Sequence, residues 1–326
     1  MKNILCCALA VLAAMLIFPL VGLKSSGAEA TQVIKLFKSE MPANRKDTFR
    51  IYDASTEKVT VMSAEDYIFG VVSAEMPLLY GDEALKAQAV AAYTLACRKR
   101  ADNAEKDYDL TTDSSTDQAF ATEAEARAGW GLGADEYVEK LRRIISEVSG
   151  ITVTYENEPI TAVYHAISSG MTESSADIWG GDRPYLHAVA SPGDLLAPEY
   201  ISRVSLSTAE LCERLKSVCE FTGEPQNYFS DFKRSGSGAV LSLKLCGREV
   251  TGAQVRAALE LRSLNFEVEF TEGGFTFTVR GYGHGVGMSQ YGARCMAKQG
   301  SNFKEILLHY YVGCKIKEPD DLFIGS

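Results

Sequence analysis

The chain has 326 residues, 46% hydrophobic and 23% charged, with a net charge of −10. That is long enough for one large or two modest domains, and the composition is ordinary for a globular protein. No basic block offsets the acidic balance, which argues against a nucleic-acid partner.

The first element is an uncharged apolar run from Ile4 to Leu23, long enough for a bilayer-spanning helix of about 20 residues. Lys2 precedes it and Lys24 follows it, so the flanking charges give little orientation. Gly27-Ala28-Glu29-Ala30 is a loose small-residue cleavage site, but the run exceeds the usual signal-peptide core of about 7–15 residues. The expectation is an uncleaved single-pass anchor in the cell membrane, with a cleaved signal peptide as the competing reading. Both place the chain from about Ala30 onward outside the cytoplasm, where disulfides are chemically allowed. Cys6 and Cys7 lie in the apolar run, and the other six cysteines are scattered without a C-x-x-C or a Cys/His pair at zinc spacing. Free thiols are expected.

After a polar stretch, FRIYDASTEKVTVMS reads as a hairpin. Ser63 and Asp66 have capping-box spacing, so a helix is expected to begin at Ala64. Ile68, Val71 and Val72 repeat at helical spacing, Glu75 falls on the same face, and Pro77 closes the helix at Met76. A carboxylate on a buried helix face is destabilised by desolvation, which raises its pKa. The negative end of the helix dipole pushes the same way. Both effects favour a proton-donating Glu75 near neutral pH, the profile of a general acid. The same pattern also fits a Glu that turns to solvent at a frayed helix end.

A long alanine-rich helix is expected from Asp82 to about Ala101, with Leu85, Gln88, Ala92 and Leu95 on one face. Gln88 then points inward, either beside a site or as a satisfied core amide. TTDSSTDQAF reads as a polar loop, residues 122–134 as irregular or partly helical, and Asp135 to Val148 as an amphipathic helix capped at Gly150. ITVTY and ITAVYHA form a hairpin around ENEP. The second strand runs into SSGMTESSADIWGGDRPYLHAVASPGD, a loop of the length and polarity that more often carries function.

Further on, Ser207 and Glu210 open a helix within residues 204–220, residues 221–237 form an exposed connection, and AVLSLKLCG is a strand. Thr251 to Leu261 is a helix, and NFEVEFTEGGFTFTVRGYGHG is a hairpin turning at Gly273-Gly274. Gly281, Gly283, Gly285 and Gly287 cannot all serve a regular strand, so they point to close backbone approach around Tyr282 and His284. A last helix starts near Asn302. With no βαβ rhythm, the expected class is α+β: mixed helices and antiparallel hairpins around a substrate cleft, preceded by one N-terminal transmembrane helix. The layout is an anchor over residues 1–24, a linker over 25–47, a main folded domain over 48–316 with a smaller subdomain at about 204–280, and a tail over 317–326.

No G-x-S-x-G elbow or H-E-x-x-H is present, which counts against serine-hydrolase and zincin chemistry. Ser168 or Ser169 with His165 or His284 fits a nucleophile–base pair, or hydroxyls that bond locally in the loop. GYGHGVG has the glycines of a phosphate loop but no Lys. Trp179, Tyr185 and Tyr282 fit sugar stacking or ordinary packing.

Together, VVSAEMP, EALKAQAVAAYTLA, YHAISSGMTESSADIWGG with PYL, and GYGHGVGMSQYGA closely resemble the stage II sporulation protein D family, over about residues 48–316. The resemblance implies a lytic transglycosylase that cleaves MurNAc-β-1,4-GlcNAc bonds of peptidoglycan glycan strands, preferably denuded ones, to 1,6-anhydro ends. It implies a role in septal wall remodelling and engulfment during endospore formation, with stage II sporulation proteins P and M as partners. The catalytic domain would face the septal intermembrane space, and the catalytic acid would be Glu75. Gln88, Ser168, Ser169, Thr172, Glu173, Tyr282, His284, Gln290 and Tyr291 lie in the matching motifs as candidates for binding substrate or supporting the site. Some members build a zinc site from a Cys and a His-Cys pair before a Gln. Here Thr116-Asp117 precede Gln118 and the stretch from Thr111 has no Cys or His, so no zinc or other cofactor is expected. Tyr93 stands where relatives usually have Arg, which leaves Glu75 untouched. A non-catalytic wall-binding activator of a partner amidase, and simple hydrolysis by water, are the alternatives.

Overall fold

The structure is a computed structural model in which residues 48–113 and 116–319 are described. Strands β1 (Thr48–Asp53) and β2 (Lys58–Ser63) pair antiparallel, from Thr48↔Ser63 to Asp53↔Lys58. Helix α1 (Ala64–Glu75) begins where the capping spacing puts it, with Ser63 Oγ accepting the Asp66 N–H at 3.1 Å. Met76 is extended ahead of Pro77 and ends the helix. Helix α2 (Asp82–Asp102) is the long alanine-rich helix, capped by Gly81 rather than by Asp82, which sits inside the first turn. Ala84, Ala87, Ala91, Ala92 and Ala96 are fully buried, and their small side chains let neighbouring elements pack close around α2.

Strand β3 (Leu110–Thr111) joins β1 in parallel. Helix α3 (Glu123–Trp130), opened by a Thr122–Glu125 capping box, occupies much of the stretch expected to be irregular or partly helical, and α4 (Ala134–Glu147) follows. Strand β4 (Thr152–Tyr155) turns through Glu156 and Asn157, both at positive φ, into β5 (Glu158–Pro159). The expected long second strand is not formed: the ladder with β4 ends at Pro159, and β6 (Tyr164–His165) pairs elsewhere. The polar loop beyond carries a short helix, α5 (Ser175–Trp179).

Strand β7 (Ile201–Leu206) precedes α6 (Thr208–Leu215), which has the expected Ser207–Glu210 capping box. The connection expected over 221–237 contains a strand, β8 (Phe229–Arg234), whose pairing is interrupted by bulges at polar positions, so its alternation is weak. Then come β9 (Val240–Leu245), β10 (Arg248–Thr251), α7 (Gly252–Leu259), and the hairpin β11 (Phe266–Thr271) and β12 (Gly274–Arg280). Strand β13 (Met288–Ser289) pairs in parallel with β6 and runs directly into α8 (Gln290–Lys298). Helix α9 (Phe303–Tyr310), capped by Asn302, and β14 (Lys315–Lys317), paired on β4, complete the described chain.

Two main hydrophobic cores result among the described residues, beside a small cluster of Ile167, Ala197 and Tyr291. One gathers α1, α2, α4 and α9 around Tyr67, Leu85, Leu141, Tyr310 and Tyr311. The other, from Leu206 to Val279, packs α6 and α7 on the sheets β10-β9-β8 and β11-β12-β7. The expected fold class needs one correction. The apolar run of residues 4–23 lies outside the described residues, and among the described residues no helix is long and apolar enough to cross a membrane. The fold is a mixed α and β architecture with small sheets, mostly antiparallel with two short parallel pairings, and has no membrane-crossing helix among its described elements.

Candidate active site

Glu75 is the last residue of α1 and is half-buried. The segment Gln118–Ala121 folds back along this helix, and Gly70 makes that approach possible. A methyl group on Gly70 would run into the Phe120 ring and the Ala121 carbonyl. Instead the Ala121 N–H donates to the Gly70 carbonyl at 3.1 Å, and Phe120 stacks on Tyr67 with ring centroids 5.9 Å apart. The docked segment then presents the Ala119 N–H to Glu75 Oε1 at 3.0 Å.

Amides and phenols wall the rest of this corner. The Gln290 side chain hydrogen-bonds Glu75 and also donates to Gln88 Oε1 at 3.4 Å. Gln88 is fully buried, and its Nε2 is unpartnered among the described residues. Tyr164 Oη donates to Gln118 Oε1 at 2.8 Å, while Gln118 Nε2 reaches Tyr67 Oη and the Ala92 carbonyl, both at 3.3 Å. Asp117, which bears on Tyr67, is already occupied: Lys99 lies 2.7 Å from it and the Thr111 N–H 2.8 Å.

Burial raises the Glu75 pKa, opposed by the Ala119 N–H and the Gln290 amide. Burial also raises Tyr164, and the nearby Glu75 charge adds to it, so this phenol keeps its proton and serves as a donor. The corner therefore holds one carboxyl whose protonated form burial favours, surrounded by neutral hydrogen-bonding groups. Such a group can hand a proton to an oxygen and take one back.

The other sequence candidates make their hydrogen bonds elsewhere. Ser168 donates through Oγ and N–H to Asp194, which also accepts Ser289 Oγ at 2.8 Å. Asp194 is fully buried; burial raises its pKa against the donors Ser168, Ser289 and Ser191. Ser169 Oγ donates to the Ser237 carbonyl at 3.0 Å, Ser237 Oγ to the Thr172 carbonyl at 2.7 Å, and Thr172 Oγ1 accepts the Val189 N–H at 2.9 Å. Glu173 accepts the Ala239 N–H at 3.3 Å, and burial raises its pKa. These contacts fasten the motif loop to the Ser235–Ala239 turn of the second core. No nucleophile–base pair is formed by Ser168 or Ser169.

His165 Nδ1 meets the Val286 carbonyl at 3.1 Å and His284 Nδ1 accepts the Val286 N–H at 3.1 Å, with the rings 5.7 Å apart. Gly283 permits this, since at φ +113° its added Cβ would stand 2.8 Å from His165 Cβ. Burial lowers His165 to about 3 and His284 to about 4, so both are neutral. Tyr291 Oη donates to the Leu196 carbonyl at 3.1 Å, its ring edge-on to Tyr80. Tyr282 stands apart from Glu75's hydrogen-bond partners, nearly half exposed beside Arg262. Tyr93 lines a cavity of about 410 Å³ with Ser63 and Ile68, at the end of α1 remote from Glu75.

Of the candidates, the structure thus joins Glu75, Gln88 and Gln290. Sequence reasoning missed Tyr67, Tyr164, Gln118 as a site residue, Ala119 and Gly70. Tyr164 had a signal, since it directly precedes His165 in the matching motif. The stretch from Thr111 to Gln118, where the resemblance puts the zinc ligands of some family members, offers hydroxyls, aspartates and an amide, and Asp117 and Gln118 are engaged with Lys99 and Tyr67.

Comparison with known proteins bears on the same residues. A family model described as "Stage II sporulation protein" matches residues 52–155, which include Glu75 and Gln88. The chain is 31% identical to stage II sporulation protein D of Bacillus subtilis (strain 168), covering 98% of this chain and 95% of that protein. It is 32% identical to stage II sporulation protein D of Bacillus amyloliquefaciens, over 91% of this chain and 87% of the relative. The amidase enhancer of Bacillus subtilis (strain 168) is 26% identical over 75% of this chain, which spans 39% of that protein.

Proposed function

The chain belongs to the stage II sporulation protein D family, and from that premise we propose that it is a peptidoglycan lytic transglycosylase acting on glycan strands during endospore formation. The observation that carries this reading is Glu75: a carboxyl whose pKa burial raises, held by one backbone N–H and one amide, with the neighbouring Asp117 already paired. In the proposed reaction Glu75 gives its proton to the oxygen of the MurNAc-β-1,4-GlcNAc bond as that C–O bond breaks. The muramyl C6 hydroxyl then closes onto C1, and Glu75 takes the hydroxyl proton. One bond breaks, one forms, and no water is consumed, so a second carboxylate at the paired spacing of glycoside hydrolases is not needed. Gln290 and Tyr164 would meet the sugar's polar groups and keep bulk water from the carboxyl, with the buried Gln88 positioning Gln290. The substrate class places the reaction in the wall outside the cytoplasm, with stage II sporulation proteins P and M as proposed partners. No step is routed through a metal.

Mass analysis of the products from peptide-free glycan strands tests the reading. Anhydro-muramyl ends are expected, with Glu75→Gln slowing their release by roughly 10²–10⁴-fold. Products one water heavier would replace the reading with hydrolysis. The amidase enhancer relative supports a second reading, a non-catalytic activator of an amidase. Absence of cleavage, with amidase stimulation that survives Glu75→Gln, would establish it instead.

A further inference from the structure

A groove of about 630 Å³, whose lining does not include Glu75, Ala119 or Gln290, lies between the α5 and Tyr282–His284 side of the molecule and α7 of the second core. Two large aromatic rings are left uncovered in it, Trp179 at 47% and Tyr282 at 46% exposure. Neither is on a loose segment. The Tyr282 N–H donates to the Ile167 carbonyl at 2.7 Å and the Ile167 N–H to the Tyr282 carbonyl at 3.0 Å. Trp179 ends α5, and its ring lies 5.3 Å from the His284 ring. Arg262, held by Glu199 at 2.7 Å, sits 4.9 Å from the centre of the Tyr282 ring.

Arg256 completes the wall. Its Nε donates to the Leu261 carbonyl and its Nη2 to the Arg262 carbonyl, both at 3.1 Å, which fixes the plane of the guanidinium. Nη1 takes part in neither bond. Among the described residues no ion pair is formed by Arg256, whereas Glu260, in the same groove, is directed to Arg214. A half-buried guanidinium stays charged, and its partners among the described residues are two neutral carbonyls rather than a carboxylate. Flat apolar faces next to a fixed, unpaired cation suit a ring-shaped ligand that carries an anion.

We infer that this groove is a second saccharide subsite for a carboxylate-bearing hexose, with the sugar ring against Trp179 and Tyr282 and the carboxylate on Arg256. Resting on the function proposed above, the ligand is a muramyl residue whose lactyl carboxylate is free rather than amide-linked to peptide. The subsite would then discriminate stripped strands from peptide-bearing ones at a distance from the bond that breaks.

Tryptophan fluorescence reads this directly. The chain has two tryptophans, so in a full-length Trp130→Phe background Trp179 is the remaining indole. Titration with N-acetylmuramic acid should give a saturable change, and its methyl ester should bind roughly tenfold more weakly, because one charge-assisted contact is lost. Arg256→Gln should erase the difference between acid and ester. Since Arg256 also binds two backbone carbonyls, Tyr282→Ala serves as a second variant and should weaken both ligands alike. Equal binding of acid and ester, or a Trp179 signal unmoved by either, overturns the subsite. Glu75→Gln should leave the titration unchanged. Cleavage that persists without groove binding refutes the subsite alone, whereas groove binding in a protein that cuts no glycan refutes the enzymatic reading alone.

Discussion

Glu75 and Asp194 are both acids whose pKa burial raises, yet they are built for opposite purposes. Asp194 is fully enclosed and accepts from Ser168, Ser289 and Ser191, so each oxygen is committed to a seam of the fold. Glu75 is half-open and accepts from one backbone N–H and one amide, which leaves lone pairs free. Burial alone therefore does not mark a general acid. What separates the two is unfilled hydrogen-bonding capacity on a carboxyl whose pKa burial raises.

The sharpest way to break this contrast is Asp194→Ala. It strands several buried hydroxyls and an N–H, and should lower stability by about 3 kcal/mol in a denaturant titration. If the fold tolerates it with unchanged stability, Asp194 is not the seam described. Gly70→Ala attacks the other side. The added methyl pushes the Phe120 segment off α1 and withdraws the Ala119 N–H from Glu75. Misplacement on this scale should cost on the order of 10²-fold in kcat, while circular dichroism stays native.

Much of the backbone logic behind this contrast is legible in the sequence, because it is local. Ser63 with Asp66 and Ser207 with Glu210 each mark a helix start through side chains three residues apart. The burial of Glu75 follows from its spacing to Val71 and Val72. What is not legible depends on partners far along the chain. β6 is two residues long and exists through its parallel pairing with β13, which no alternation announces. α8 begins among glycines and reads as loop until packed. Gln118 and Tyr164 acquire meaning when the segment docks over Gly70, and Asp194 sits in an undistinguished SPGD turn. The expectation of a membrane-crossing helix rested on residues 4–23, which lie outside the described residues, and among the described residues no helix is long and apolar enough to cross a membrane.

Finer tests sharpen the Glu75 half. The Gln290 amide favours the carboxylate, so its loss removes a pKa-lowering contact. In Gln290→Leu the Glu75 pKa rises further. Because the proton-donating form disappears as pH climbs through that pKa, the descending limb of the pH–rate profile should move to higher pH. A limb that moves to lower pH, or stays fixed, contradicts the assignment of the proton to Glu75.

The smallest effect is on stability. A carboxyl whose folded pKa is raised favours the fold below its unfolded pKa and loses that contribution as pH rises through the folded value. Ionised Glu75 is thus a burden on the fold at neutral and alkaline pH. Glu75→Gln should raise Tm there by on the order of 1–2 °C, and the gain should vanish in acid. A scan across pH that shows a constant difference would remove the burial argument while leaving the chemistry to stand or fall separately.

The amide pair Gln88–Gln290 spans 202 positions of sequence. During synthesis, which runs from the N-terminus, the acid and the long helix emerge first and the second amide arrives nearly last. A growing or truncated chain that stops before Gln290 carries the proton donor without this part of its wall. For a protein proposed to cut a load-bearing polymer, that order of emergence is a safeguard: the blade is present early, but it is seated only when the whole molecule has been made.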